Sequence, residues 1–267
     1  MNPQQTTTVP TTVAHPLTTP ARTGWLRAFA LSLRWEWGGA RQWAAMMVVI
    51  QFMMGVGMAI MYGFFYPEIT PTTALYITTG IPTLALIPMG FIMIPGGVGE
   101  QRTNGSFDFV WSLPIPRSAQ ISAMFALYTI LSLPGTLLAL LVATWRYDVS
   151  LEVSWLIVPA VLLAALMAVS VGAGMAFAIA NPMITNLISN ALVFVVLLFS
   201  PIVYPASNLP TWLLRTHEVL PFHHMAQVIR AGLTDGVVTG TTTSFLVLGA
   251  WAIAGAAITG WVAHRRG

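Results

Sequence analysis

The chain contains no cysteine, which excludes disulfides, thiol nucleophiles and thiolate metal sites. It contains no lysine either: all eleven basic side chains are arginine. Charge of both signs is scarce. Charged residues make up 7% of the chain and hydrophobic residues 56%, whereas a soluble globular chain carries about 25% charge. That deficit is too large for a water-soluble core and marks a membrane protein. At 267 residues, most of the chain goes into spanning segments, which leaves room for one membrane domain. A GxxxxGKS/T loop to cradle nucleotide phosphates is also missing. The net charge of +3 comes without a basic patch interleaved with aromatics, which argues against nucleic acid as a partner. Arginines in such a chain set orientation and touch anionic headgroups.

What is present falls into a clear order. Residues 1–20 are Thr/Pro-rich, uncharged and without periodicity, and read as a disordered tail. Residues 21–43 read as an amphipathic interfacial helix. Arg27, Arg34 and Arg41 recur every seven residues on one stripe, while Trp25, Leu26, Phe29, Leu33 and Trp37 fall roughly opposite. Gly38 and Gly39 would let the chain turn into the bilayer. Uncharged runs follow at 42–67, 69–99 and 118–145. The second run holds Pro82, Pro88 and Pro95 as expected kinks or ends. Residues 153–214 carry no charge and are too long for one span. "ANPMITN" at 180–186 divides them into spans at about 155–180 and 185–204, and residues 236–263 hold the last. With about 20 apolar residues needed per crossing, the expected fold is all-α with six spans over residues 44–267. Short amphipathic helices are expected between spans five and six, at 205–235.

Six spans place both termini on one side. With the N-terminus inside, Arg22, Arg27, Arg34, Arg41, Arg102, Arg117, Arg265 and Arg266 are cytoplasmic, and Arg146, Arg215 and Arg230 are outside. The positive-inside rule selects that arrangement. It puts residues 99–118, "GEQRTNGSFDFVWSLPIPRS", in the largest cytoplasmic loop. Glu100, Arg102, Asp108 and Arg117 concentrate charge there. Asn104 or Ser106 is placed to cap a short helix, and the "PIP" ends it. Phe107, Phe109 and Trp111 would hold it along the membrane, presenting Arg102, Asp108 and Arg117 outward. One reading of this element is a lever gripped by a soluble partner; the other is an ordinary interfacial loop helix.

The segment "GEQRTNGSFDFVWSLPIPRSAQISAMF" resembles the signature loop of the ABC transporter type-2 permease family, through Glu100, Arg102, Gly105, Pro114 and Arg117. A second segment, "SPIVYPASNLPTWLLRTHEVLPFHHMAQVIRAGL", is similar to the family's segment between spans five and six. Pro205, Asn208, Leu209, Pro210, Trp212, Pro221 and Arg230 carry that similarity. Gln101, His223 and His224 depart from the commonest pattern. The resemblance implies a permease without an ATPase of its own. It implies two copies of a cytoplasmic ABC ATPase holding ATP and Mg, and a second permease half that is the same chain or a paralogue. It also implies export from a bacterial cytoplasmic membrane. The loop 99–118 would couple to the ATPase, with Glu100 and Arg102 fixing it against the interfacial helix or the ATPase. "NPMIT" at 181–185 would be a minor second contact, and segment 205–235 would help close an outer gate.

Other readings are weaker. His217, Glu218, His223 and His224 form the one His/carboxylate cluster, but without HExxH spacing; they read as polar faces of short helices dipping into the outer leaflet. The spans lack the acidic and histidine groups of an intramembrane protease. Asp148 and Glu152 give thin support for a glycosyltransferase. An ATP-independent channel or scaffold, or a permease for a lipid-linked glycan or polysaccharide, remains as an alternative. The absence of charge within the spans suits an apolar or amphipathic cargo over an ion.

Overall fold

The computed structural model describes residues 24–65 and 68–265. The tail expected at 1–20, with Arg22 and Arg266, lies outside the described residues. The described residues form α1 (Trp25–Phe65), α2 (Pro71–Pro88), a π-helical turn (Met89–Met93), α3 (Ile94–Thr103) and α4 (Ser106–Ser112). These are followed by α5 (Arg117–Tyr147), α6 (Ile157–Ala178), α7 (Pro182–Phe199), α8 (Thr211–Val219), α9 (Pro221–Leu233) and α10 (Thr241–Arg265). No strand occurs among them. Six helical runs are long and apolar enough to cross a membrane: Trp25–Phe65, Pro71–Thr103, Arg117–Tyr147, Ile157–Ala178, Pro182–Phe199 and Thr241–Arg265. Each overlaps one of the six expected runs, and the first begins earlier, at Trp25.

The runs alternate in direction, which contacts at the two ends establish. At one end the Trp25 indole N–H at the start of α1 donates to Ser118 Oγ at the start of α5 (3.0 Å). There too, Arg102 at the end of α3 reaches the end of α6, and Arg117 reaches the Ala263 carbonyl near the end of α10. This is the loop end. At the opposite end the Tyr147 hydroxyl, closing α5, donates to the Ala59 carbonyl of α1. The Glu152 N–H donates to the Leu233 carbonyl that ends α9 (3.0 Å).

One expectation is corrected. Gly38 and Gly39 do not turn the chain: α1 runs unbroken through them for 41 residues, about 62 Å at 1.5 Å per residue. The interfacial segment and the first span are therefore one rod, about twice the roughly 30 Å hydrocarbon thickness. A glycine inside a helix costs only about 1 kcal/mol relative to alanine, and packing along α5 outweighs that. Of the prolines expected as kinks or ends of the second run, Pro88 and Pro95 stand where the helix changes type: α2 closes at Pro88, and Pro95 is in the first turn of α3. Pro82 lies inside α2. The π-helical turn at Met89–Met93 gives the hydrogen-bond ladder a place to readjust around the proline rings before α3 resumes.

α6 sits at the centre, and small residues let its neighbours approach closely. A Cβ on Gly172 would collide with the Gly90 carbonyl of the π-helical turn, and one on Gly255 of α10 with the backbone at Ser170. Phe91, Met167, Ile202 and Phe222 fill the core of the opposite half. Val98, Phe107, Phe125 and Phe177 fill that of the loop half.

Candidate functional site at the loop end

α3 and α4 form an elbow. Gly105 turns the chain with φ 77°, a left-handed conformation that glycine adopts without a Cβ penalty. Of the two expected caps, Asn104 supplies the acceptor: its Oδ1 takes the Ser106 N–H (3.0 Å) and the Ser106 hydroxyl (2.6 Å). Ser106 is instead the first residue of α4. The exposed Pro114 and extended Pro116 then separate α4 from α5.

The short helix is held on several sides. Phe107 is buried and Trp111 half-buried, and both meet Phe177 at the end of α6. Ring centroids are 5.5 Å apart for Phe107–Phe177, 5.4 Å for Trp111–Phe177 and 5.7 Å for Phe107–Trp111. Phe109 faces the other way, 6.1 Å from Trp35 of α1. From α5, the Gln120 amide donates to the Val110 carbonyl (2.9 Å). Asp108 is exposed; with Trp111, Arg117 and Phe177 it borders a cavity of about 760 Å³.

Arg102 joins this elbow to α6. Its guanidinium donates to the carbonyls of Ile179 (2.5 Å), Ala180 (3.3 Å) and Phe177 (3.4 Å), and stands 5.0 Å from the Phe107 ring centre. The carbonyls at a helix C-terminus have no partner within the helix and carry partial negative charge, so a cation there satisfies both. The resemblance places Arg102 against the interfacial helix or the ATPase; within the chain it is anchored on the end of α6. Glu100 does not share it. Two residues apart on a helix, the two side chains diverge by about 200°. Glu100 is exposed and lines a cavity with Glu36 of α1.

Along α1, Trp25 stacks on Phe29 at 5.5 Å, and Arg27, Arg34 and Arg41 are exposed. The segment 181–185 begins α7: Asn181 Oδ1 accepts from the Met183 (2.9 Å) and Ile184 (3.4 Å) N–H groups. Phe177 was not foreseen. Its only sequence signal is an isolated aromatic in the small-residue run "VGAGMAFAIA".

At the opposite end, Pro205 precedes a short turn, Ala206–Asn208, and Pro210 and Pro221 start α8 and α9. Trp212 is exposed. Arg230 is only 1% exposed: Nε donates to Thr79 Oγ1 (2.9 Å), Nη2 to the Ile202 carbonyl (2.7 Å), and the guanidinium lies 4.1 Å from the Tyr76 ring centre. The histidines are corrected too: His217 and His224 are buried ties, not outward polar faces. His217 meets Ser200 Oγ (3.1 Å) and the Leu213 carbonyl (2.9 Å); His224 meets Ser244 Oγ (3.0 Å) and the Glu218 carbonyl (2.9 Å). Burial, then His224, pushes His223 down to about 4. No group of three metal-ligating side chains occurs among the described residues.

Six apolar crossings, an arginine-braced elbow at one end and short proline-started helices at the other define a polytopic membrane domain. A sequence profile of the ABC-2 type transporter family matches residues 28–234, and the chain belongs to that family. It is a multi-pass membrane permease of the ABC class, a transport subunit that is not itself catalytic, in a family that pairs with ABC ATPase subunits. Among curated proteins no significant match to the chain is found.

Proposed function

We propose that this chain is the membrane half of an ATP-driven exporter in a bacterial cytoplasmic membrane, with its loop end cytoplasmic and α4 docked on a separate ABC ATPase. The observation that carries the reading is the bracing of α4: Phe109 on α1, Val110 on α5, Phe107 and Trp111 on α6. A short helix tied to three spanning helices moves with them, so a pull on α4 is a pull on the bundle. An unbraced loop would absorb the same motion. Asp108, Phe109 and Ser112 are exposed on α4, available to a partner.

The arginine distribution supports the orientation. Arg27, Arg34, Arg41, Arg102, Arg117 and Arg265 lie at the loop end, and Arg146, Arg215 and Arg230 at the other. In this reading two ATPase copies, each with ATP and Mg, drive two permease halves, identical or paralogous, and this chain binds no cofactor. Apart from Glu36 and Glu100 toward the loop end, the spanning runs carry no acidic residue, which favours an apolar or amphipathic cargo. Segment 205–235, locked by Arg230 onto α2, closes the outer side.

The test is deletion of residues 103–116, with the chain co-expressed with its ABC ATPase and reconstituted in liposomes. Permease-stimulated ATP hydrolysis is expected to be lost while thermal unfolding shows that the six spans remain folded. Stimulated hydrolysis that survives the deletion overturns the docking role. ATP-independent flux would favour a channel.

A further inference from the structure

Between α1, α3 and α5 at the loop end lies a cavity of about 680 Å³, within the roughly 300–1,000 Å³ range of small-molecule sites. Its lining is graded along the bundle. At the loop end the walls are polar: Glu36 on α1 faces Glu100, Gln101 and Asn104. Further in they turn apolar, with Met46, Met47 and Ile50 on α1 opposite Ile92 and Met93 of the π-helical turn. From Glu36 to Ile50, α1 rises about 21 Å, the length of an amphiphile. Trp35 and Trp43 stand along this path, and Tyr128 contributes from α5.

The charge is unbalanced. Among the described residues, Arg34 is the one guanidinium in the lining, against two carboxylates, and it is exposed. Glu36 is half-buried and has no hydrogen-bond or ion-pair partner among the described residues. A partly buried carboxylate without a partner is relieved by a cation brought to it.

We propose that this cavity binds an amphipathic organic cation, its positive head at Glu36 and Glu100 and its apolar body against the methionines further in. Trp35 and Trp43 line the same cavity, and indole rings within reach of a cation attract it. The methionines adapt to bodies of different shape because their side chains are unbranched and polarizable. As the place where cargo is loaded, the site rests on the export reading. As a binding site it is tested on the chain alone, so the two readings fail separately.

The probe is tetraphenylphosphonium, with tetraphenylborate as an anion of the same shape. Equilibrium binding is measured on the full chain in nanodiscs, without ATPase. The wild type is expected to bind the cation in preference to the anion. E36Q/E100Q should weaken cation binding roughly tenfold, as for removal of a partly desolvated counter-charge. Glu152→Gln, exposed at the opposite end, should not change it. Gly96→Leu serves as a second, charge-neutral variant. A Cβ there meets nothing within 4 Å, so the side chain fills the cavity and should abolish binding.

Equal binding of cation and anion, or less than a threefold effect in both variants, overturns the proposal. The cation could be a lipid headgroup or a free molecule. Phosphatidylglycerol discs with and without phosphatidylethanolamine distinguish these sources. A smaller difference between wild type and E36Q/E100Q when phosphatidylethanolamine is present identifies a lipid ammonium as the resident ligand. An unchanged difference identifies a free cation.

Discussion

One guanidinium connects the elbow to the centre of the bundle. Arg102 reaches three carbonyls at the end of α6, and charge-assisted bonds of this kind contribute about 1.5–3 kcal/mol before solvent screening. Arg102 is half-buried, so the expected loss in Arg102→Ala is about 1–2 kcal/mol. That corresponds to a fall in Tm of roughly 2–8 °C, read by thermal unfolding in detergent. Arg102→Lys should recover little of it, since a single ammonium lacks the planar fork that spans three carbonyls. Full recovery by lysine would mean that the charge alone matters. Arg230 shows the same chemistry at the opposite end, where its fork ties α9 to α2 and to the chain after α7.

At the scale of elements, the second span and α6 depend on each other's smallness. The π-helical turn brings the Gly90 carbonyl against Gly172, and Gly255 packs against Ser170 on another side of α6. Overpacking a tight contact costs about 1–3 kcal/mol or more. Gly172→Val is therefore expected to lower Tm by several degrees or prevent assembly. Gly249→Ala in α10, where a Cβ meets nothing within 4 Å, should leave Tm unchanged or slightly raised. Equal tolerance of both substitutions would show that the α6 contacts are loose. In the docking role proposed above, close packing of this kind would let α6 pass motion on, since rods in backbone contact shift as bodies rather than bend.

At the scale of the molecule, the outstanding question is which end faces the cytoplasm. The absence of native cysteine makes every introduced thiol a clean reporter. Asp108 on α4 and Trp212 on α8 are both exposed and lie at opposite ends. In intact cells an impermeant maleimide should label Trp212→Cys and spare Asp108→Cys until the membrane is opened. Labelling of Asp108→Cys from outside would invert the orientation and remove the ATPase docking role.

The amino-acid sequence by itself determined the six crossings, the short helices between spans five and six, and the elbow at 99–118. Those follow from runs of apolar residues, from prolines and from caps, all of which act within a few residues of where they stand. Even the Asn104 acceptor was legible, because its side-chain oxygen and the N–H it accepts lie two residues apart. The tertiary structure alone decided the rest. Arg102 finds carbonyls more than seventy residues away, and Phe177 completes an aromatic group whose other members sit in a different loop. Glu36 and Glu100 come to share one cavity although α1 and α3 are separated by a whole span. The unbroken passage of α1 through Gly38 and Gly39 belongs here as well. Local propensity favours a turn at that pair, and packing of α1 against α5 and α2 outweighs it.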